Sequence, residues 1–66
     1  MDQESPRLLR LPEVSRATGL GRSAIYERMT RGAFPRAVEI TPKARAWVEA
    51  EVRAWIAARI AERDAA

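Results

Sequence analysis

The chain has 66 residues, with 12 Arg and Lys against nine Asp and Glu, and contains neither His nor Cys. That length allows one small domain, which buries only about 60% of the surface its unfolded chain exposes. Without imidazole or thiol, disulfides, the usual zinc sites and His- or Cys-dependent catalysis are excluded.

Ser15, Thr18 and Ser23 are hydroxyls with no base beside them in sequence, so the expectation is a protein that is not an enzyme and needs no cofactor or metal. The charge is unevenly placed. Residues 7–47 carry nine Arg and Lys against three Glu, whereas residues 48–66 carry three Arg against four acidic residues. Cations gathered in this way suit a surface that faces phosphates; a soluble protein that simply favours Arg is the plainer reading. No apolar run approaches the roughly 18 residues that span a bilayer. The polar, acidic opening "MDQESP" is unlike a signal peptide. Residues 1–6 are therefore expected as a disordered lead, and the protein as cytoplasmic with no membrane partner.

In chain order, "RLLRL" alternates basic and apolar residues, as a short edge strand does. Pro12 suits the first turn of a helix. Leu11, Val14, Ala17 and Leu20 recur at spacing three, which predicts one face of a short helix ending near Thr18, closed by Gly19 in the left-handed conformation. Gly21 is an acceptable N-cap for a second helix, expected over residues 22–31. Within it Ile25 and Met29 lie four apart and point one way. Arg22, Ser23, Tyr26, Glu27 and Thr30 fall on the other side, with Arg28 between the faces. Gly32 closes this helix and Pro35 prevents its resumption.

"AVEI" (37–40) alternates as a half-buried strand, with Val38 and Ile40 inward. "TPK" makes a tight turn and "ARAW" (44–47) returns antiparallel, with Lys43 at or near the tip and Arg45 outward if Trp47 points in. Val48, Val52, Trp55, Ile56, Arg59 and Ile60 trace the stripe of a final helix, supported by a Glu49–Arg53 pair. "ERDAA" (62–66) is expected to fray.

Two short helices joined by a glycine-containing turn make a helix-turn-helix, whose second helix enters the DNA major groove. On this reading Gly19 and Gly21 allow the reversal, and Ile25 and Met29 fasten the second helix to the first. Arg22 is placed to fork onto a guanine edge or a phosphate. Ser23 and Tyr26 can bond phosphates near the helix N-terminus, with Thr30 and Arg31 further along. Arg36, Lys43 and Arg45 would lie over the neighbouring backbone as a wing. Plainer roles stand beside these: helix-start solvation for Arg22 and Ser23, a core-rim position for Tyr26, helix-end cations for Arg31 and Arg36, and protection of an edge strand by Lys43 and Arg45. Trp47 and Trp55 are expected in the core. Glu27 can select cytosine or orient an Arg, and is assigned no role.

The segments "RLLRLPEV", "TGLGRSAIY" and "GAFPRAVEI", then the "AW" before "EAEVRAWIAAR", resemble in this order and spacing the AlpA family of phage and prophage regulators. These are small relatives of the MerR-type and excisionase winged-helix domains, and the resemblance covers roughly residues 7–59. It implies a mainly α fold with a small β-hairpin, a winged helix-turn-helix domain over 7–61, and a sequence-specific transcriptional regulator of prophage or mobile-element genes. Its partner would be double-stranded DNA, binding of which would associate the cytoplasmic protein with the nucleoid, with RNA polymerase or a recombinase as further partners. An excisionase-type architectural factor directing site-specific recombination is the alternative within the DNA-binding class. Outside that class, the basic face would meet an acidic protein partner. Single modules cover only about 600–1,000 Å² of DNA, so a homodimer or cooperative copies on DNA are expected. Gly21 departs from the family pattern, where Ser commonly caps, as do Arg28, where an apolar residue is common, and "TRG", which replaces the more usual exit.

Overall fold

The computed structural model describes residues 6–66, so of the lead expected over 1–6, residues 1–5 lie outside the described residues. The elements are β1 (Leu8–Leu9), α1 (Leu11–Thr18), α2 (Arg22–Thr30), β2 (Val38–Thr41), β3 (Ala44–Val48) and α3 (Glu49–Ala65). The expected class holds: three helices and a small antiparallel sheet in the order β1-β3-β2, as in a winged helix-turn-helix.

β1 pairs antiparallel with β3, Leu8 opposite Val48 and Leu9 opposite Trp47. The two-residue period turns Leu9 into the core and leaves Leu8 exposed. The Glu49 N–H extends the pairing by donating to the Arg7 carbonyl at 2.7 Å. α1 begins with Pro12 in its first turn and with the Glu13 carboxylate accepting the Arg10 N–H at 3.0 Å. It ends at Gly19, left-handed at φ 78°, whose N–H returns to the Ser15 carbonyl. Val14 is fully buried, but Ala17 is exposed, contrary to the expected face. A series spaced by three drifts about 60° per step around a 3.6-residue helix, and the inward face runs through Leu11, Val14, Ser15 and Thr18 instead.

α2 buries Ile25 completely and Met29 and Ala24 in part. Its end is a Schellman turn: Gly32, at φ 72°, donates to the Met29 carbonyl and Ala33 to the Arg28 carbonyl at 2.7 Å. The next residue but one after that glycine, Phe34, enters the core at 5% exposure and meets the Trp55 ring edge to face at 4.9 Å. The Trp55 Nε1–H donates to the Ala33 carbonyl at 2.9 Å, tying the exit of α2 to α3. Sequence patterning marks Gly32 and Pro35 as a stop and misses the anchor between them.

β2 corrects a second expectation. All four of its residues are exposed, Val38 at 40% and Ile40 at 47%. α1 and α3 pack on β3, the middle strand, so the outer strand has alternation but no helix to bury it. Ile40 also falls at a bulge between the Glu39–Arg45 and Thr41–Ala44 pairs. Arg45 and Trp47 do not point to opposite faces: two residues apart on a strand, they share one. Trp47 is fully buried, while Arg45 is exposed because it lies further out toward the hairpin tip, and both border the same cleft.

The core comprises Leu9, Val14, Ile25, Phe34, Trp47 and Val52, with Leu20, Tyr26, Met29, Trp55 and Ile56 packed around it. Val48 closes β3 rather than opening α3, which begins at Glu49. Helical conformation carries on through Ala65, where a frayed tail was expected from 62. From Ala57 onward every residue is exposed, Ile60 at 46%, so the stripe outruns the body it was expected to pack on. Surface ion pairs Arg53–Glu49 and Arg59–Glu62 decorate this helix; exposed pairs of this kind add little stability. Among the described residues no helix is long and apolar enough to cross a membrane.

Candidate nucleic-acid interface

The angle between α1 and α2 is held by hydroxyls. Thr18 Oγ1 donates to the Val14 carbonyl at 2.8 Å and accepts the Leu20 N–H at 3.2 Å. Ser15 Oγ donates to the Leu20 carbonyl at 2.6 Å. Both backbone polar groups of Leu20 are thereby tied to α1, which satisfies groups that the turn would otherwise strand. Of the two glycines expected to permit the reversal, only Gly19 has a positive φ. Gly21, at φ −81° and ψ 175°, is extended backbone open to any residue.

With Ile25 held inside, α2 exposes Arg22, Ser23, Glu27, Thr30 and Arg31. Ser23, Glu27 and Thr30 or Arg31 lie on one line along the helix, at spacings of four and then three or four. The Thr30 hydroxyl donates to the Tyr26 carbonyl at 3.0 Å, leaving its oxygen able to accept from outside. Glu27, in the middle of this line, makes no ion pair among the described residues, so it does not orient an Arg. Arg28 is half-buried on the core-edge side, as a snorkelling side chain is.

The first turn of α2, the start of α1 and the tip of the β2–β3 hairpin enclose an open cleft of about 290 Å³. Its polar walls are Arg10, Arg22, Tyr26, Lys43 and Arg45, and Trp47 forms part of its lining. Four cations from three elements thus line one space with no carboxylate among them. The Tyr26 ring stands edge-on to the buried Trp47 at 6.0 Å, and the Arg22 guanidinium carbon lies 5.2 Å from the Tyr26 ring centroid. A core indole thereby supports the tyrosine and the tyrosine holds the arginine. At the hairpin tip the Lys43 N–H donates to Thr41 Oγ1 at 3.2 Å, which shapes the turn.

Of the eight expected contact residues, the fold brings Arg22, Tyr26, Lys43 and Arg45 into the cleft and sets Ser23, Thr30 and Arg31 along the exposed flank of α2. Arg36 lies elsewhere, beside Phe34, Pro35, Glu51 and Ala54 in a groove against α3. Arg10 was not expected; its only sequence signal is its place just before the Leu-Pro that opens α1. Among the described residues no group of three or more Asp and Glu is placed to hold a metal ion.

A family model described as "Prophage CP4-57 regulatory protein (AlpA)" matches residues 7–60. The chain is 48% identical to an uncharacterized protein, ORF88, of Enterobacteria phage P4, in an alignment covering 94% of this chain and 70% of that one. It is 31% identical to the DNA-binding transcriptional activator AlpA of Escherichia coli (strain K12), covering 88% of this chain and 91% of that one.

Proposed function

The chain belongs to the AlpA family of prophage regulatory proteins, and from that premise we propose that it is a sequence-specific DNA-binding regulator of prophage or mobile-element genes. α2 enters the major groove and the β2–β3 hairpin lies on the neighbouring backbone. The observation that carries this reading is the continuity between the exposed polar flank of α2 and the cleft whose four cations join it to the hairpin tip. The core fixes the separate elements around one space, so their cations are presented together to a phosphate backbone. Ser23, Glu27, Thr30 and Arg31 face the base edges, Lys43 and Arg45 the phosphates, and Arg36 an outlying stretch of backbone. A footprint this small calls for a dimer or cooperative copies on repeated sites.

Selection of bound duplexes from a random pool, followed by competition of the selected duplex against random duplex, tests the reading. A specificity ratio on the order of 10³ or more is expected; a ratio near one refutes sequence-specific binding and favours an acidic protein partner. Replacing Lys43 and Arg45 together by Ala lowers the salt slope of binding by up to roughly one unit, the contribution of one neutralised phosphate. An unchanged slope removes the hairpin from the interface.

A further inference from the structure

We propose that the cleft between α1, α2 and the hairpin is a seat for a single DNA backbone phosphate, that Arg10 is one of its ligands, and that Arg22 serves this seat and not a base edge. The inference rests on the DNA-binding reading above and assigns within it which side chains position the duplex.

Arg10 is the N-cap residue of α1, in extended backbone, and its N–H is already taken by the Glu13 carboxylate. Its guanidinium has no hydrogen-bond or ion-pair partner among the described residues, and neither do those of Arg22 and Arg45 or the Lys43 ammonium. On α3, by contrast, arginines are paired: Arg53 with Glu49, Arg59 with Glu62 and Arg63 with Asp64. The contrast matters, because four like charges lining one cleft repel one another in the free protein, and an anion is the missing neutraliser. Leu11, Pro12 and Pro42 supply apolar wall to the same space.

The placement of Arg22 completes the case. A residue at the first position of a recognition helix would reach a base edge by projecting beyond the helix end. Here its guanidinium lies over the Tyr26 ring and borders the same space as the hairpin cations. Phosphate contacts fix register and orientation and carry no sequence information. Base discrimination then falls to the Ser23, Glu27 and Arg31 line, which starts at the residue after Arg22 and runs along the helix.

The test uses the full chain, with the selected duplex and a random duplex of equal length, titrated by fluorescence anisotropy over a salt series. Arg10→Ala and Arg22→Ala are each expected to lower the salt slope by a fraction of one, the seat contributing about one in all, and to weaken both duplexes equally. Arg10→Lys keeps the charge and should retain the slope, while Arg63→Ala, on the far part of α3, should change nothing. In a scan of single neutral methylphosphonate substitutions, one position should weaken the wild type and weaken Arg10→Ala by a smaller factor, while other positions weaken both alike. If Arg10→Ala binds with unchanged slope where the wild type binds DNA, the seat is wrong and the DNA reading survives. A loss confined to the selected duplex makes the residue a base contact, which also overturns the seat. Failure of the wild type to bind any duplex overturns both readings.

Discussion

Thr18→Val isolates the hydroxyl clamp at the helix-turn-helix corner, because valine keeps the branched shape and removes only the polar atom. The half-buried Thr18 Oγ1 bonds the Val14 carbonyl and the Leu20 N–H. The first of these is a second bond to a carbonyl already inside α1, and its loss costs about 0.5 kcal/mol, the low end for a neutral hydrogen bond. The second leaves the Leu20 N–H without a partner in a part-buried turn, at about 1–2 kcal/mol. The expected total is about 2 kcal/mol, in a chain whose whole stability should be about 3–10 kcal/mol at the usual per-residue value. For a domain this small that lowers the melting temperature by about 8–16 °C. Ser15→Ala, which frees the Leu20 carbonyl, should cost about 1 kcal/mol. Since both hydroxyls grip the backbone of one residue, the double variant should cost at least about 0.5 kcal/mol less than the two singles together. Urea unfolding followed by circular dichroism on the two singles and the double measures all three values. A Thr18→Val cost below about 0.5 kcal/mol, or strict additivity, would refute the idea that a shared clamp sets the angle between α1 and α2.

The two glycines of the same corner should respond in opposite directions. Gly19→Ala meets no atom within 4 Å but must hold φ 78°, and should cost about 1–2 kcal/mol. Gly21→Ser, in extended backbone with open space around it, should stabilise by a few tenths to about 1 kcal/mol; equal melting shifts would contradict the assignment. Glu27→Gln removes the single carboxylate on the exposed flank of α2. It should change the preferred base at one position of the selected duplex, with about 1–3 kcal/mol of lost discrimination, and tighten binding to random duplex. A selected motif identical to that of the wild type takes Glu27 out of base reading.

Local chemistry alone decides much of this molecule. Pro12 opens α1 because its fixed φ suits a first turn, and Gly19 and Gly32 end α1 and α2 because glycine enters the left-handed conformation without strain. Ile25 and Val52 turn inward because helical spacing joins them to other apolar residues, and the pair of short helices with a basic hairpin follows from such signals. Burial, by contrast, depends on what a face meets. Val38 and Ile40 alternate as a core strand should and are exposed, because no helix packs on the outer strand. Ile60 continues an apolar stripe past the end of the body. Ala17 is exposed against expectation and Phe34, to which patterning gives no place, is buried, because helix phase and the path after Gly32 are settled by packing. The interface divides in the same way. Side-chain type and helical period mark the polar flank of α2 in the one-dimensional chain. Only tertiary structure decides that Arg10, Arg22, Lys43 and Arg45, up to 35 positions apart in the chain, border one cleft while Arg36 does not. The physical reason is that electrostatic fields act through space, and three separate elements must pack on Trp47 and its neighbours before their charges can share a ligand.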